Sequence, residues 1–184
     1  MGDAKPLRLF NLIVAHEPGR WGFREALRVL RGLLPGALVF DTPKHLILLR
    51  VEDPYAAVDR LAANLDSSQP ILRAIPLDAV APPYVEDVAR LAAGLAAEKA
   101  AGGDATFAVR VEGRLWRRDM GEPVSSREAI EAIAEGIDLP VDLRSPSLLV
   151  LVKVIRLSRA QRYAGVMVAP PSSIYSRDRR RGRS

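Results

Sequence analysis

Across the first eighty residues, short apolar runs alternate with stretches whose apolar positions recur every three to four residues, and this alternation confines the chain to a mixed α/β fold. Residues 7–15 (LRLFNLIVA) read as a buried strand. Phe23, Ala26, Leu27, Leu30, Leu33 and Leu34 then form one helical stripe, which Pro35-Gly36 ends. A short strand at 37–41, the turn Thr42-Pro43-Lys44 and a strand at 45–52 follow. Asp53-Pro54 is a capped helix start, and Val58, Leu61, Ala62 and Leu65 give that helix its apolar face. Residues 71–80 supply a weaker strand that Pro76 interrupts, which predicts an edge position. The order β-α-β-β-α-β is the ferredoxin-like arrangement, of class α/β (α+β). Many functions share it, so it says little about activity.

Pro82-Pro83 marks a boundary. Residues 84–101 read as a helix with Tyr84, Val88, Leu91, Ala92 and Leu95 on one face, stopped by Gly102-Gly103. Residues 106–112 alternate, with Phe107, Val109 and Val111 facing one way and Arg110 the other. After residues 113–118, a loop or strand extension, Ser125 and Glu128 form a capping box. Ile130, Ile133, Ala134 and Ile137 are the apolar face of the helix it starts. A short strand at 140–146 leads into residues 147–155 (SLLVLVKVI), whose near-continuous apolar run predicts a central strand buried on both faces. One more strand is expected at 163–168. The stretch from Pro170 on is dominated by Pro, Ser and Arg and reads as a mobile basic tail. The expected organisation is a ferredoxin-like domain at 1–81, a second α/β domain at 82–169 and a tail at 170–184.

Composition removes much of enzyme chemistry. The 184 residues include no cysteine, which excludes disulfides, iron–sulfur clusters, thiolate zinc sites and cysteine nucleophiles. His16 and His45 lack metal-ligand spacing. His16 and Glu17 come just after the first strand, and since adjacent residues in extended chain point to opposite faces, a direct relay between them is not expected. No phosphate-binding glycine loop, nucleophile elbow or cofactor fingerprint is present. Neither a secretory leader nor an apolar run of about 18 residues occurs, which predicts a cytoplasmic protein without membrane contact.

Charge is unevenly placed. Residues 1–104 hold 12 Lys/Arg against 13 Asp/Glu, whereas residues 105–184 hold 15 against 9. Only Lys153 is a lysine in the second half. Guanidinium presents a planar fork that matches a pair of phosphate oxygens, which favours nucleic acid as partner. A basic, arginine-rich proteome would give the same bias. Arg114, Arg117 and Arg118, with Arg110 nearby, form the densest basic cluster and are the first candidates for phosphate contact. Ion pairs to Asp119 and Glu122 are the plain alternative. Trp116 could stack on an unpaired base, although a lone tryptophan more often packs on a core. Arg127 stands at a helix start whose free backbone donors suit a phosphate. Arg144 lies beside the Ser145-Pro146 turn, where Asp142 reads as structural. Lys153 either snorkels from its buried strand or reaches RNA. Arg159 and Arg162 flank the last strand and could extend a groove. Arg177, Arg179, Arg180, Arg181 and Arg183 make the tail a basic arm or a solubilising end.

Three segments in order, Thr106 to Glu112, Ser125 to Ile130, and Val141 to Pro146 followed by Leu148 to Val152, resemble the THUMP domain family of RNA-binding modules. The resemblance covers roughly residues 7–168. It implies an N-terminal ferredoxin-like domain, which the first half supplies independently, and tRNA as partner through its acceptor stem and 3′ end. The pattern over 7–80, including Ile71-Leu72-Arg73-Ala74-Ile75-Pro76, looks most like the stand-alone THUMP proteins that assist a tRNA cytidine acetyltransferase. The catalytic domain of THUMP enzymes is a separate, longer unit, for which residues 170–184 leave no room. The expectation is therefore a non-catalytic adaptor, no enzyme, without metal or cofactor, presenting tRNA to a separate modifying enzyme. Two other readings stand beside it: a small RNA-modifying enzyme on a ferredoxin-like scaffold, and a protein-only module docking through the apolar edge at 71–77.

Overall fold

A computed structural model describes residues 7–181, which divide into two compact units. One holds residues 9–76 and 172–181, the other 77–171 with residues 7 and 8. The elements are β1 (Leu12–His16), α1 (Gly19–Leu33), β2 (Leu38–Asp41), β3 (Leu46–Arg50), α2 (Pro54–Asn64), β4 (Ile71–Pro76), β5 (Ala79–Ala81), α3 (Val85–Lys99), β6 (Phe107–Glu112), α4 (Ser126–Glu135), β7 (Leu148–Arg156), β8 (Arg162–Ala169), β9 (Tyr175–Ser176) and α5 (Arg177–Arg181).

In the first unit the antiparallel sheet runs β2-β3-β1-β4-β9. Its first four strands have the predicted ferredoxin-like order. Ala26, Val29 and Leu30 of α1, with Val58 and Leu61 of α2, bury against Leu12, Val14, Ile47 and Leu49 of the sheet. Helix α2 starts where the sequence predicts. Asp53 Oδ1 accepts from the Tyr55 and Ala56 amides at 3.0 and 3.1 Å, and Pro54 fills the first helical position.

The second unit has the sheet order β5-β8-β7-β6. Strands β6 and β7 are parallel because α4 carries the chain back between them. Strand β7 is central, as its apolar run predicts. Val88 and Ala92 of α3 and Ile133 of α4 cover the sheet face carrying Phe107, Val150, Val152, Val166 and Val168. Ser125 and Glu128 form the expected capping box on α4.

Four expectations need correction. The strand expected over 71–80 is two strands in two sheets. Pro76 brings no N–H to the ladder. Two residues on, the Asp78 amide donates to the Val166 carbonyl at 2.9 Å, and its Oδ2 accepts from the Val168 amide at 2.7 Å. These bonds lay Ala79–Ala81 along β8 and move the boundary between units from 81/82 to 76/77. Strand β4 is not an edge either: it lies between β1 and β9, which removes the proposed apolar docking edge at 71–77. The expected tail is built into the first unit from Ser172 on, because Ile174 and Tyr175 are apolar and buried, with Tyr175 opposite Ala74. Arg177 Nη1 then donates to Glu17 Oε1 at 2.6 Å. The expected basic arm therefore has Arg177 tied down. Arg183 and the side chains of Arg180 and Arg181 lie outside the described residues. Finally, the strand expected at 140–146 is a loop joined to β6 by a single bridge between Val141 and Phe107, in which the Phe107 amide donates to the Pro140 carbonyl at 3.0 Å and the Asp142 amide to the Phe107 carbonyl at 2.9 Å.

Candidate nucleic-acid interface

The carboxyl ends of β6 and β7 lie side by side, and the chain leaves β6 through Gly113. Its φ of +92° suits glycine, and a Cβ there would stand 2.9 Å from the Val154 side chain. The loop that follows is pinned, not free. Leu115 is fully buried, and its carbonyl accepts from the Val124 amide at 2.8 Å. Trp116 donates its amide to the Pro83 carbonyl and accepts from the Val85 amide, both at 3.0 Å. These bonds hold the loop against the start of α3. The arginines beyond Trp116 therefore project from a fixed backbone.

Arg114 is exposed, as are Arg156, Arg159 and Arg162 around the β7–β8 hairpin, and none makes an ion pair among the described residues. Arg156 stands directly opposite Arg162 in the ladder. Like charges so placed repel unless an anion lies between them. The Arg162 guanidinium sits 5.3 Å from the centre of the Trp116 ring. Beside this pair opens a cleft of about 440 Å³ lined by Pro82, Pro83, Tyr84, Trp116, Gln161, Arg162 and Tyr163, among others. Trp116 is half-buried, with its backbone held as above and its side chain among those lining the cleft.

Other predicted residues are engaged. Arg118 is an ion-pair partner of Asp87, which is only 3% exposed, and its guanidinium lies 4.7 Å over the Tyr84 ring. A buried carboxylate requires such a partner, so Arg118 is first a structural clamp. Neither Asp119 nor Glu122 supplies the predicted ion pair. Arg117 Nη2 is 4.0 Å from Glu128 Oε1. The α4 start does not offer the open phosphate site expected beside Arg127. Glu128 Oε2 already accepts from the Ser125 amide and hydroxyl at 3.1 and 2.9 Å. Hydrogen bonds from Ser125, then the nearby Arg117 charge, hold the Glu128 carboxyl below the usual range. The helix start thus carries its own anion. Arg127 is 89% exposed and bonds Glu131 at 2.9 Å, which raises its already high pKa.

Three candidates fall elsewhere. Lys153 pairs with Glu112 at 3.2 Å across β6 and β7, which it faces in register. Arg110 is exposed on the same side of the sheet, away from α3 and α4. Arg144 lies by Val141 at the amino end of β6, about 20 Å of strand away from Gly113. Asp142 is structural there, its Oδ1 accepting from the Arg144 and Ser145 amides at 3.0 Å each. Sequence reasoning missed Arg156, Tyr84 and Tyr163. Arg156 ends an apolar strand and attracts notice only once β8 lays Arg162 against it. In the first unit, His16 is buried, donates Nδ1–H to the Glu17 carbonyl at 2.8 Å and has the His45 ring at 6.4 Å. Among the described residues no group of three or more His, Asp or Glu is placed to hold a metal, and no helix is long and apolar enough to cross a membrane.

No protein-family model matches the sequence, and no curated protein does. Solved structures do. PH1313 from Pyrococcus horikoshii Ot3 matches with a TM-score of 0.59 at 16% identity, over 88% of this chain and 55% of its own. A 4-thiouridine synthetase solved with RNA and bound ATP matches with a TM-score of 0.58 at 17% identity, over 88% of this chain and 42% of its own. The fold is THUMP-like. TrmN from Thermus thermophilus also shares it, with a TM-score of 0.51 at 22% identity over 86% of this chain and 46% of that one. This THUMP-like chain spans about half the length of the structures it matches. The expectation that it is no enzyme is overturned by the same comparison. A synthetase solved with RNA and ATP carries this fold, so the fold gives no ground for a purely non-catalytic reading.

Proposed function

We propose that this chain works in tRNA modification as the RNA-capturing part of a modifying enzyme. The rim at the carboxyl ends of β6 and β7 would grip the phosphates of the acceptor stem. The aromatic cleft beside it would take an unpaired base near the 3′ end. The observation that carries the reading is the group Arg114, Arg156, Arg159 and Arg162, exposed and without ion pairs among the described residues, around a cleft edged by Trp116 and Tyr84. Support also comes from the likeness to a synthetase solved with RNA. Arginine forks suit phosphate, aromatic faces suit any base, and together they read RNA by shape more than by sequence.

The test is tRNA binding by the full chain across a salt series. The variant R114Q/R156Q/R162Q is expected to bind roughly tenfold or more weakly, with a salt slope shallower by about 3. Wild-type affinity in that variant would refute the assignment. A second reading, in which this chain itself catalyses the modification, draws on the same enzyme neighbour. Nucleoside analysis of tRNA treated with the protein and candidate donors separates the two. Acetylated cytidine, thiolated uridine or a methylated base would name the reaction.

A further inference from the structure

Helix α1 carries Arg20, Arg24, Arg28 and Arg31, all exposed. At 3.6 residues per turn they fall within about 80° of one another and span about 17 Å of helix. Trp21, 61% exposed, borders the stripe. The single acid of the helix, Glu25, pairs with Arg28, while Arg20, Arg24 and Arg31 make no ion pair among the described residues. The opposite face, with Gly22, Ala26, Val29 and Leu30, is buried in the first unit's core.

Nothing in the helix itself rewards this arrangement. Arg20 lies in the first turn, where a cation opposes the helix dipole, and neither an acidic residue nor a side-chain cap offsets it. Arg20 with Arg24, and Arg24 with Arg28, are like-charge pairs at i, i+4, which weaken a helix. The stripe is therefore suited to an external polyanion. A helix that lies in a lipid surface must free its apolar face for insertion, and here that face is in the core. Guanidinium groups beside an exposed indole fit phosphates with a neighbouring base.

We propose that the Arg20, Trp21, Arg24 and Arg31 face of α1 is a second RNA contact, gripping the phosphate backbone independently of the rim in the other unit. This rests on the RNA-binding reading above. In the full chain, R20Q/R24Q/R31Q is expected to bind tRNA roughly tenfold or more weakly at 100 mM salt, with a salt slope shallower by about 3. Helix content is expected to stay at the wild-type value. Should the first turn fray, R24Q/R31Q spares it and is expected to lower the slope by about 2. In W116F protein Trp21 is the one remaining tryptophan, and saturating tRNA is expected to quench it. If the rim variant weakens binding while the α1 variants keep wild-type affinity and slope, this inference falls and the RNA reading stands. If wild-type protein binds no tRNA, both fall. If α1 variants lose binding to phosphatidylserine-containing vesicles yet hold tRNA normally, the stripe serves a membrane and the inference is overturned.

Discussion

Arg118 and Glu128 show how a side chain's first obligation decides what it can do for a ligand. Both are surface residues by sequence, and Arg118 stands in the densest basic cluster of the chain. Asp87, buried under the loop, claims it. Replacing Arg118 by alanine is expected to cost about 2 kcal/mol, less than a fully buried pair because the guanidinium is half exposed. In a D87A background the same substitution is expected to cost little more, and a urea-denaturation double-mutant cycle measures the difference. Glu128 works through its charge. Its folded carboxyl is held below the usual range, so its contribution to stability is present above the unfolded pKa of about 4.3 and is lost as pH falls through the folded value. E128Q is expected to lower the melting temperature at pH 7 and to differ little from wild type at pH 2.5. A constant difference across that range would contradict the capping-box account.

Helices and long strands were readable because their signals are local. Asp53-Pro54 and the Ser125–Glu128 box act on amides within three residues, and both caps form as expected. The apolar run 147–155 demanded two covered faces, and β7 is central. Short strands were harder. Tyr175–Ser176 is two residues in a polar stretch, too brief for any periodicity, and it exists because β4 offers an open ladder and the core a place for the ring. Tyr175→Ala is expected to cost about 3 kcal/mol, read as a lowered denaturant midpoint. The bared β4 ladder is expected to promote association, which light scattering would detect. A variant as stable and monodisperse as wild type would mean that β9 contributes nothing.

At the scale of the whole molecule, net charge indicated a polyanion but not where it binds. The basic excess of residues 105–184 does not form one surface. Arg114, Arg117, Arg159 and Arg162 gather at one end of the second sheet with Arg156, while Lys153 is neutralised by Glu112 and Arg144 stands at the far end. The nearly neutral first part also holds a four-arginine stripe, hidden in the totals by acids elsewhere in residues 1–104. Deeper salt dependence than the rim alone accounts for is thus expected of the intact chain. Fold class, the order of the longer helices and strands, and the caps of α2 and α4 were determined by the sequence on its own, since each depends on neighbours along the chain. The break after Pro76, the addition of β9, the claim of Asp87 on Arg118 and the facing of Arg156 and Arg162 were decided only by tertiary structure. In each of these cases register and burial chose between partners that the primary order left equally available.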